Sequence, residues 1–234
     1  MDPTALNYNS EATIDNGNCS YAPITDLNIA FTQTVHGSPL VLNEMIYTNQ
    51  ANDLYSVQTV RYLISDITLH AENGNSTVLD EVHFIDISID STLSLYIPAI
   101  DSENYTSLSF TMGLDSIKNQ NNSYLNENFF PSFAWPTFLG GGYHYMQLEG
   151  DFNTVFNGYA THTGPTNGAD YSFTKNFPVT TDIISSNTIT INMEINNWYS
   201  NPHMVNLYDG IMENASIQEL LKDNGIADVF SIEE

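Results

Sequence analysis

Two histidines and a methionine lie on two neighbouring segments that alternate as β-strands do. In the first segment, residues 143–148, His144 and Met146 share one face because successive side chains of a strand point to opposite sides. The second segment, residues 158–164, carries His162. Imidazole nitrogen and thioether sulfur suit copper, whereas calcium and magnesium prefer oxygen ligands. These residues therefore predict a copper site.

The two segments are close enough in the chain to form an antiparallel hairpin. A turn centred near Asn153 would place His144 opposite His162, where Cβ atoms are about 4.5–5.5 Å apart. Both imidazoles could then bind one ion at nitrogen–metal distances of about 2.0 Å. A slip of one residue would put the two histidines on opposite faces, so the site depends on the register.

Two further residues are candidates for the same site. Trp135 is separated from His144 by a short link that contains the three glycines 140–142, so we expect Trp135 at the wall of the site. His83 lies on the apolar face of a predicted strand over residues 78–89. A histidine buried in the core is the simpler interpretation of His83, and a fourth ligand beside His144, His162 and Met146 is the alternative.

The elements that would hold these residues are β-strands. Runs of period two, separated by turn residues, predict an all-β fold: one antiparallel β-sandwich of roughly eight to ten strands over residues 24–196. A long strand over residues 55–70 changes phase near 61–65, which indicates a bulge or a bend. Residues 115–132 form a long loop that should cover the Trp135 segment.

One short C-terminal helix should follow the strands. The sequence from Ser216 to Glu219 fits a capping box, and Gly225 provides a stop, so we expect a helix over residues 216–224.

The composition argues against several classes of function. The 28 acidic and 4 basic residues give a net charge of −24, which makes binding to nucleic acid or to an anionic membrane surface improbable. Cys19 is the one cysteine, so the chain has no internal disulfide and no cysteine-based zinc site. Carboxylates this abundant say nothing about catalysis, and no Ser-His-Asp motif with flanking glycines is present. We therefore expect a protein that is not an enzyme.

The aromatic residues near the glycines leave an alternative function open. They could stack on sugars, as in a surface adhesion or glycan-binding module, although core packing under the long loop is the simpler interpretation for the phenylalanines at 129, 133 and 138. The aromatic residues are Phe129, Phe130, Phe133, Trp135 and Phe138.

Residues 2–21 resemble a short motif of secreted and surface proteins of the Bacteroidota, in which two cysteines look like a disulfide pair. The first cysteine of that motif would fall just before Met1, so Cys19 is either its unpaired partner or a simple free thiol. The resemblance implies an extracytoplasmic location: the periplasm, the outer membrane through an N-terminal lipid, or the medium. We accordingly divide the chain into a motif or linker at 1–23 and a domain at 24–234.

Several stretches, taken in order, resemble the MbnP-like family of bacterial extracytoplasmic copper-binding proteins. The resemblance covers about residues 25–232 and implies a β-sandwich that binds one copper ion for acquisition, carriage or storage. The matching stretches are residues 60–69, 108–113, 135–150, 159–164 and 198–202, with shorter matches at 224–225 and 229–231.

The same resemblance implies roles for individual residues. His144 and His162 match recurrent histidine positions, and Trp135 matches a tryptophan that relatives oxidise to kynurenine with a partner di-haem enzyme of the cytochrome c peroxidase type. Methanotroph members have a Trp-x-Trp-Gln-x-Gly-Tyr pattern, an Asn-His upstream of it and cysteines after the His-x-Gly strand. This chain has Trp135 alone in that segment with a longer glycine-rich link, Lys118-Asn119 without histidine, and no cysteines at those positions.

Overall fold

Two β-sheets share one large hydrophobic core in this protein. The computed structural model describes residues 2–3, 5–21, 24–101, 104–130, 132–153, 157–180 and 187–233. The smaller sheet contains β1 (Ile24–Val35), β2 (Ser38–Pro39), β7 (Ser94–Asp101), β12 (Thr188–Glu194) and β13 (Phe230–Glu233). The larger sheet contains β3 (Tyr47–Thr48), β4 (Leu54–Tyr55), β5 (Thr59–Ala71), β6 (Ser76–Asp86), β8 (Tyr105–Met112), β9 (Met146–Phe152), β10 (Asn157–Thr163) and β11 (Phe173–Pro178).

The strand order confirms the predicted all-β sandwich, but the described residues form thirteen strands instead of eight to ten, β13 follows residue 196, and one strand pair is parallel. The smaller sheet runs β13-β12-β1-β2, with β7 also on β1, and the larger sheet runs β11-β8-β5-β9-β4-β3, with β6 on β5 and β10 on β9. The pairing of β1 with β12 is parallel, with Phe31 beside Ile191, whereas the other strand pairs of the described residues are antiparallel. The two strands of this pair are far apart in the chain, so no hairpin turn sequence predicts their pairing.

The long strand β5 organises the larger sheet. It pairs with β6 along one edge and with β9 and then β8 along the other. The predicted irregularity is present but lies slightly later than residues 61–65, because the register shifts around Asp66, whose φ is 55°. The partner on this edge changes from β9 to β8 between Tyr62 and Ile64, so the bulge lies within the pairing with β8.

The two faces of the larger sheet are covered by different parts of the chain. Its inner face packs on the smaller sheet in the main core, where Tyr62 and Leu148 are fully buried. Its outer face carries a second cluster that contains Leu63 and Phe133. The residues of that cluster between 114 and 145 come from the long connection before β9, so this connection covers the outer face.

The C-terminal helix α1 (Ala215–Asn224) is confirmed and ends at the predicted residue, but its N-cap and the role of Gly225 differ from the prediction. Asn214 rather than Ser216 is the N-cap, and its side chain accepts hydrogen bonds from two backbone N–H groups of the first turn. Gly225 keeps right-handed helical angles and leads into a further turn at Gly225–Val229. A Cβ at Gly225 would lie 2.2 Å from the Phe173 ring, so close packing explains the glycine.

The N-terminal segment carries an exposed Cys19 with a free thiol, and the division of the chain at residue 24 stays a prediction. Among the described residues, no helix has the length and apolar character needed to span a membrane.

Candidate metal centre

The hairpin that carries the two histidines has a different register from the predicted one. His162 on β10 lies opposite Gln147 on β9, and Thr163 lies opposite Met146. The expectation that His144 lies opposite His162 was wrong by three residues. In the observed register, strict alternation would send His144 to the face opposite His162.

A break in the strand before β9 brings the two histidines together. Tyr143 forms an isolated bridge with Ala134, and regular pairing starts only at Met146. The backbone N–H of His144 donates to the Phe133 carbonyl at 2.8 Å, and its ring Nδ1 lies 3.0 Å from the same oxygen. Held in this way, the His144 ring contacts the His162 ring, with centroids 5.0 Å apart. The predicted pair therefore exists, although its cause is the local break and not the register.

Each histidine is held through one ring nitrogen, which leaves the other nitrogen with a lone pair. The Nδ1–H of His144 donates to the Phe133 carbonyl, so its Nε2 carries the lone pair. The Nε2–H of His162 donates to Glu149 Oε1 at 2.7 Å, so in the neutral ring Nδ1 carries the lone pair. Metal-binding histidines usually show this arrangement, in which a carbonyl or a carboxylate orients the ring.

The surroundings keep one imidazole neutral and one carboxylate ionised. Burial lowers the pKa of His144 to about 4, and the neighbouring His162 acts in the same direction. The hydrogen bond from His162 lowers the pKa of Glu149. A neutral imidazole needs no proton release before it binds a metal, so His144 is ready to act as a ligand near pH 7.

Trp135 packs against His144. Its ring centroid lies 4.8 Å from that of His144 at an interplanar angle of 77°. The side chain is buried, and its Nε1–H has no hydrogen-bond partner. On another side of the indole, a Cβ at Gly164 would come within 2.6 Å of the ring. Close packing with Gly164 therefore holds Trp135 beside His144.

Met146 and His83 lie on the inner face of the larger sheet, away from this pair. Met146 is fully buried in the main core, so the expectation that it shares a face with His144 was wrong. His83 pairs in register with Ile64, another residue of the main core, and stacks on Phe31 with ring centroids 4.9 Å apart. The position of His83 thus agrees with the simpler interpretation, that His83 is a core histidine.

Three polar residues next to the pair were not found by sequence reasoning. Gln147 lies opposite both His162 on β10 and Arg61 on β5, and Glu149 follows two positions later on the same face. Gln147 Oε1 and Arg61 Nε are buried without a hydrogen-bond partner. With the correct register, the alternation of Gln147 and Glu149 would have predicted both as neighbours of His162.

The available donors suit a nitrogen-preferring metal better than a hard cation. In the part of the chain that the structure describes, no group of three or more His, Cys, Asp or Glu side chains could hold an ion. Two imidazoles bound to one ion at about 2.0 Å have ring centres about 5–6 Å apart, which agrees with the observed 5.0 Å. The pair therefore fits copper, completed by neutral donors, and lacks the oxygen cage that calcium needs.

The aromatic residues of the loop do not form an exposed stacking surface. Phe129, Phe133 and Trp135 are buried, the two phenylalanines in the second cluster. Phe138 is 74% exposed, so the expectation that it packs in the core was wrong. A sugar could stack on the exposed Phe138, but the buried rings of Phe129, Phe133 and Trp135 are not accessible to it.

A family model described as MbnP matches residues 24–215 of the chain. The solved structure of MbnP from Methylosinus trichosporium superimposes with a TM-score of 0.58 at 10% identity, covering 90% of this chain and 98% of that one. At this identity the likeness shows a shared fold. No curated protein matches the sequence.

Proposed function

The chain belongs to the MbnP family, and we propose that it is an extracytoplasmic copper-binding protein that acquires, carries or stores one copper ion at His144 and His162. Family membership supports a role connected with copper and a location outside the cytoplasm. The choice of these two residues is our own inference from the geometry.

The observation that carries the proposal is the orientation of the two imidazoles. Their rings are in contact, and each is fixed through the nitrogen that a bound metal would leave free. Copper would be cargo in this protein and not a catalytic group, so we propose a binding protein without enzymatic activity. In this proposal the ion would lie on the outer face of the larger sheet, under the long loop.

We further propose that Trp135 is oxidised to kynurenine by a di-haem enzyme of the cytochrome c peroxidase type. Two equivalents of hydrogen peroxide would cleave the indole C2–C3 bond to give N-formylkynurenine and two water molecules, and hydrolysis would then release formate. The contact of its indole with His144 supports this proposal, as does an Nε1–H with no hydrogen-bond partner among the described residues. Intact mass spectrometry should find a modified Trp135 in protein from its native host and an ordinary tryptophan in protein from a host without such an enzyme. An unmodified Trp135 from the native host would contradict oxidation while leaving copper binding untouched.

An N-terminal lipid would attach the protein to the outer membrane. The motif at residues 2–21 supports this part of the proposal, and mass spectrometry of membrane fractions from the native host tests it. Recovery of an unlipidated protein from the soluble periplasm would contradict it.

A pair of double variants tests copper binding at the two histidines. The variant His144→Ala, His162→Ala should lose the tight copper site. The matched control His70→Ala, His203→Ala also removes two imidazoles, but His70 bonds to Ser76 and Ser109, and His203 bonds to Asp223. This control should keep the site.

Untagged protein should be titrated with copper in both oxidation states against a competing chelator. Equal affinities in the two double variants would contradict the proposed function.

A further inference from the structure

Gln147 has one unused polar atom beside the histidine pair. The residue is 5% exposed and lies directly opposite His162 in the hairpin. Its Nε2 donates to the Ser132 carbonyl at 3.1 Å, while Oε1 is buried and accepts no hydrogen bond from the described residues. Nearly all buried side-chain oxygens in proteins have a partner, so this amide oxygen is available to bind a ligand.

The orientation of this amide group is set by its neighbours. Only the NH₂ end can donate to a carbonyl, so the bond to Ser132 fixes Oε1 at the other end of the amide. Arg61 lies opposite Gln147 on the other side, but its Nε also has no partner, so these two atoms do not satisfy each other. Gln147 therefore lies between Arg61 and His162 in the sheet, and the lone pairs of its Oε1 are unused among the described residues.

We propose that Gln147 Oε1 is a third ligand of the copper ion held by His144 and His162, an inference that rests on the proposed function. Copper sites often combine strong nitrogen ligands with one weak ligand, and a glutamine oxygen can fill that position. A neutral amide oxygen is a harder donor than a thioether and favours Cu(II) over Cu(I). Gln147, and not Met146 on the inner face, then sets the preferred oxidation state of the bound copper.

Two variants of similar size separate this role from a structural one. Gln147→Leu and Gln147→Met both lose the hydrogen bond to Ser132, so their effects on packing are matched. Only the methionine supplies a new donor atom, and a soft one. Met146→Leu is the control, because it removes the thioether that the sequence pattern had predicted as a ligand and conserves side-chain volume on the inner face.

The measurements are chelator competition with Cu(II) and Cu(I), and the electron paramagnetic resonance spectrum with one equivalent of Cu(II). Gln147→Leu should weaken Cu(II) binding about tenfold and alter the copper hyperfine splitting, while nitrogen splitting from two imidazoles persists. Gln147→Met should raise the ratio of Cu(I) to Cu(II) affinity above that of Gln147→Leu. Met146→Leu should match the wild type in each measurement.

The outcomes distinguish this inference from the proposed function. Copper binding that requires both histidines but does not change in affinity or spectrum in either Gln147 variant overturns the inference alone. Copper binding that survives loss of both histidines overturns the proposed function. If Gln147→Leu does not fold, Gln147→Met decides, because a thioether in place of a ligating oxygen must change the Cu(II) spectrum.

Discussion

The two faces of the larger sheet are built by the same strands, yet they differ in how many buried polar atoms lack a hydrogen-bond partner. On the inner face Tyr62 and Leu148 pack into the main core beneath the smaller sheet. One position away on the same strands, Arg61 and Gln147 point to the outer face, where a loop covers them. Alternation alone separates the two environments, so adjacent residues can serve stability and binding independently.

The difference lies in hydrogen bonds that are not made. Among the described residues, four buried side-chain polar atoms have no partner, and three of them belong to the outer side: Arg61 Nε, Trp135 Nε1 and Gln147 Oε1. The fourth is Trp198 Nε1 in the main core. Each such atom costs about 1–3 kcal/mol. The main core thus has fewer buried polar atoms without a partner than the outer face has next to the histidine pair. Binding sites often contain such atoms.

The largest effect should come from the inner face. Leu148→Ala removes a fully buried side chain and should lower the free energy of unfolding by about 2–5 kcal/mol in urea denaturation without metal. Because Leu148 points away from His162, copper affinity should remain near that of the wild type. A folded Leu148→Ala protein without its copper site would show that the two faces are not independent.

The next largest effect should be the increase in the free energy of unfolding when copper binds at the outer face. At a free copper concentration of about 100 times Kd, unfolding of the wild type should cost about 2.7 kcal/mol more than without copper. The His144→Ala, His162→Ala protein should gain almost nothing. Unfolding curves with and without copper measure both values, and equal gains would place the bound copper elsewhere.

A substitution behind Trp135 should have an intermediate effect. In Gly164→Ala, the new Cβ would lie 2.6 Å from the indole and displace it, at a cost of about 1–3 kcal/mol. The near-ultraviolet circular dichroism should change and copper affinity should fall. Gly158→Ala on the same strand is the control, since its nearest contact would be an ordinary 3.8 Å. Similar results for both variants would contradict close packing of Trp135 on Gly164.

The smallest effect on copper should come from His83. Its ring stacks on Phe31 and bonds to the Thr92 carbonyl at 2.9 Å, on the face opposite His162. His83→Ala should reduce stability modestly and leave copper affinity unchanged in chelator competition. A loss of affinity comparable to that of His144→Ala would restore His83 to the ligand set.

Features that depend on neighbouring residues could be predicted from the sequence. Period-two alternation and turn residues indicated a β-sandwich, the run before Gly225 indicated one short helix, and the glycine-rich link indicated that Trp135 lies near His144. The same local signals misplaced the helix cap, because Asn214 and Ser216 are both good caps and only the folded chain selects between them.

Features that depend on pairing between distant segments were decided by the tertiary structure. The parallel pairing of β1 with β12 has no local signal, and the hairpin register differs by three residues from a symmetric turn at Asn153. The contact between His144 and His162 needs a break in the strand that the Phe133 carbonyl holds in place through two hydrogen bonds. Alternation fixes which residues share a face within one regular strand, but the partners on the neighbouring strand and the point where regularity stops are set by packing across the whole sheet.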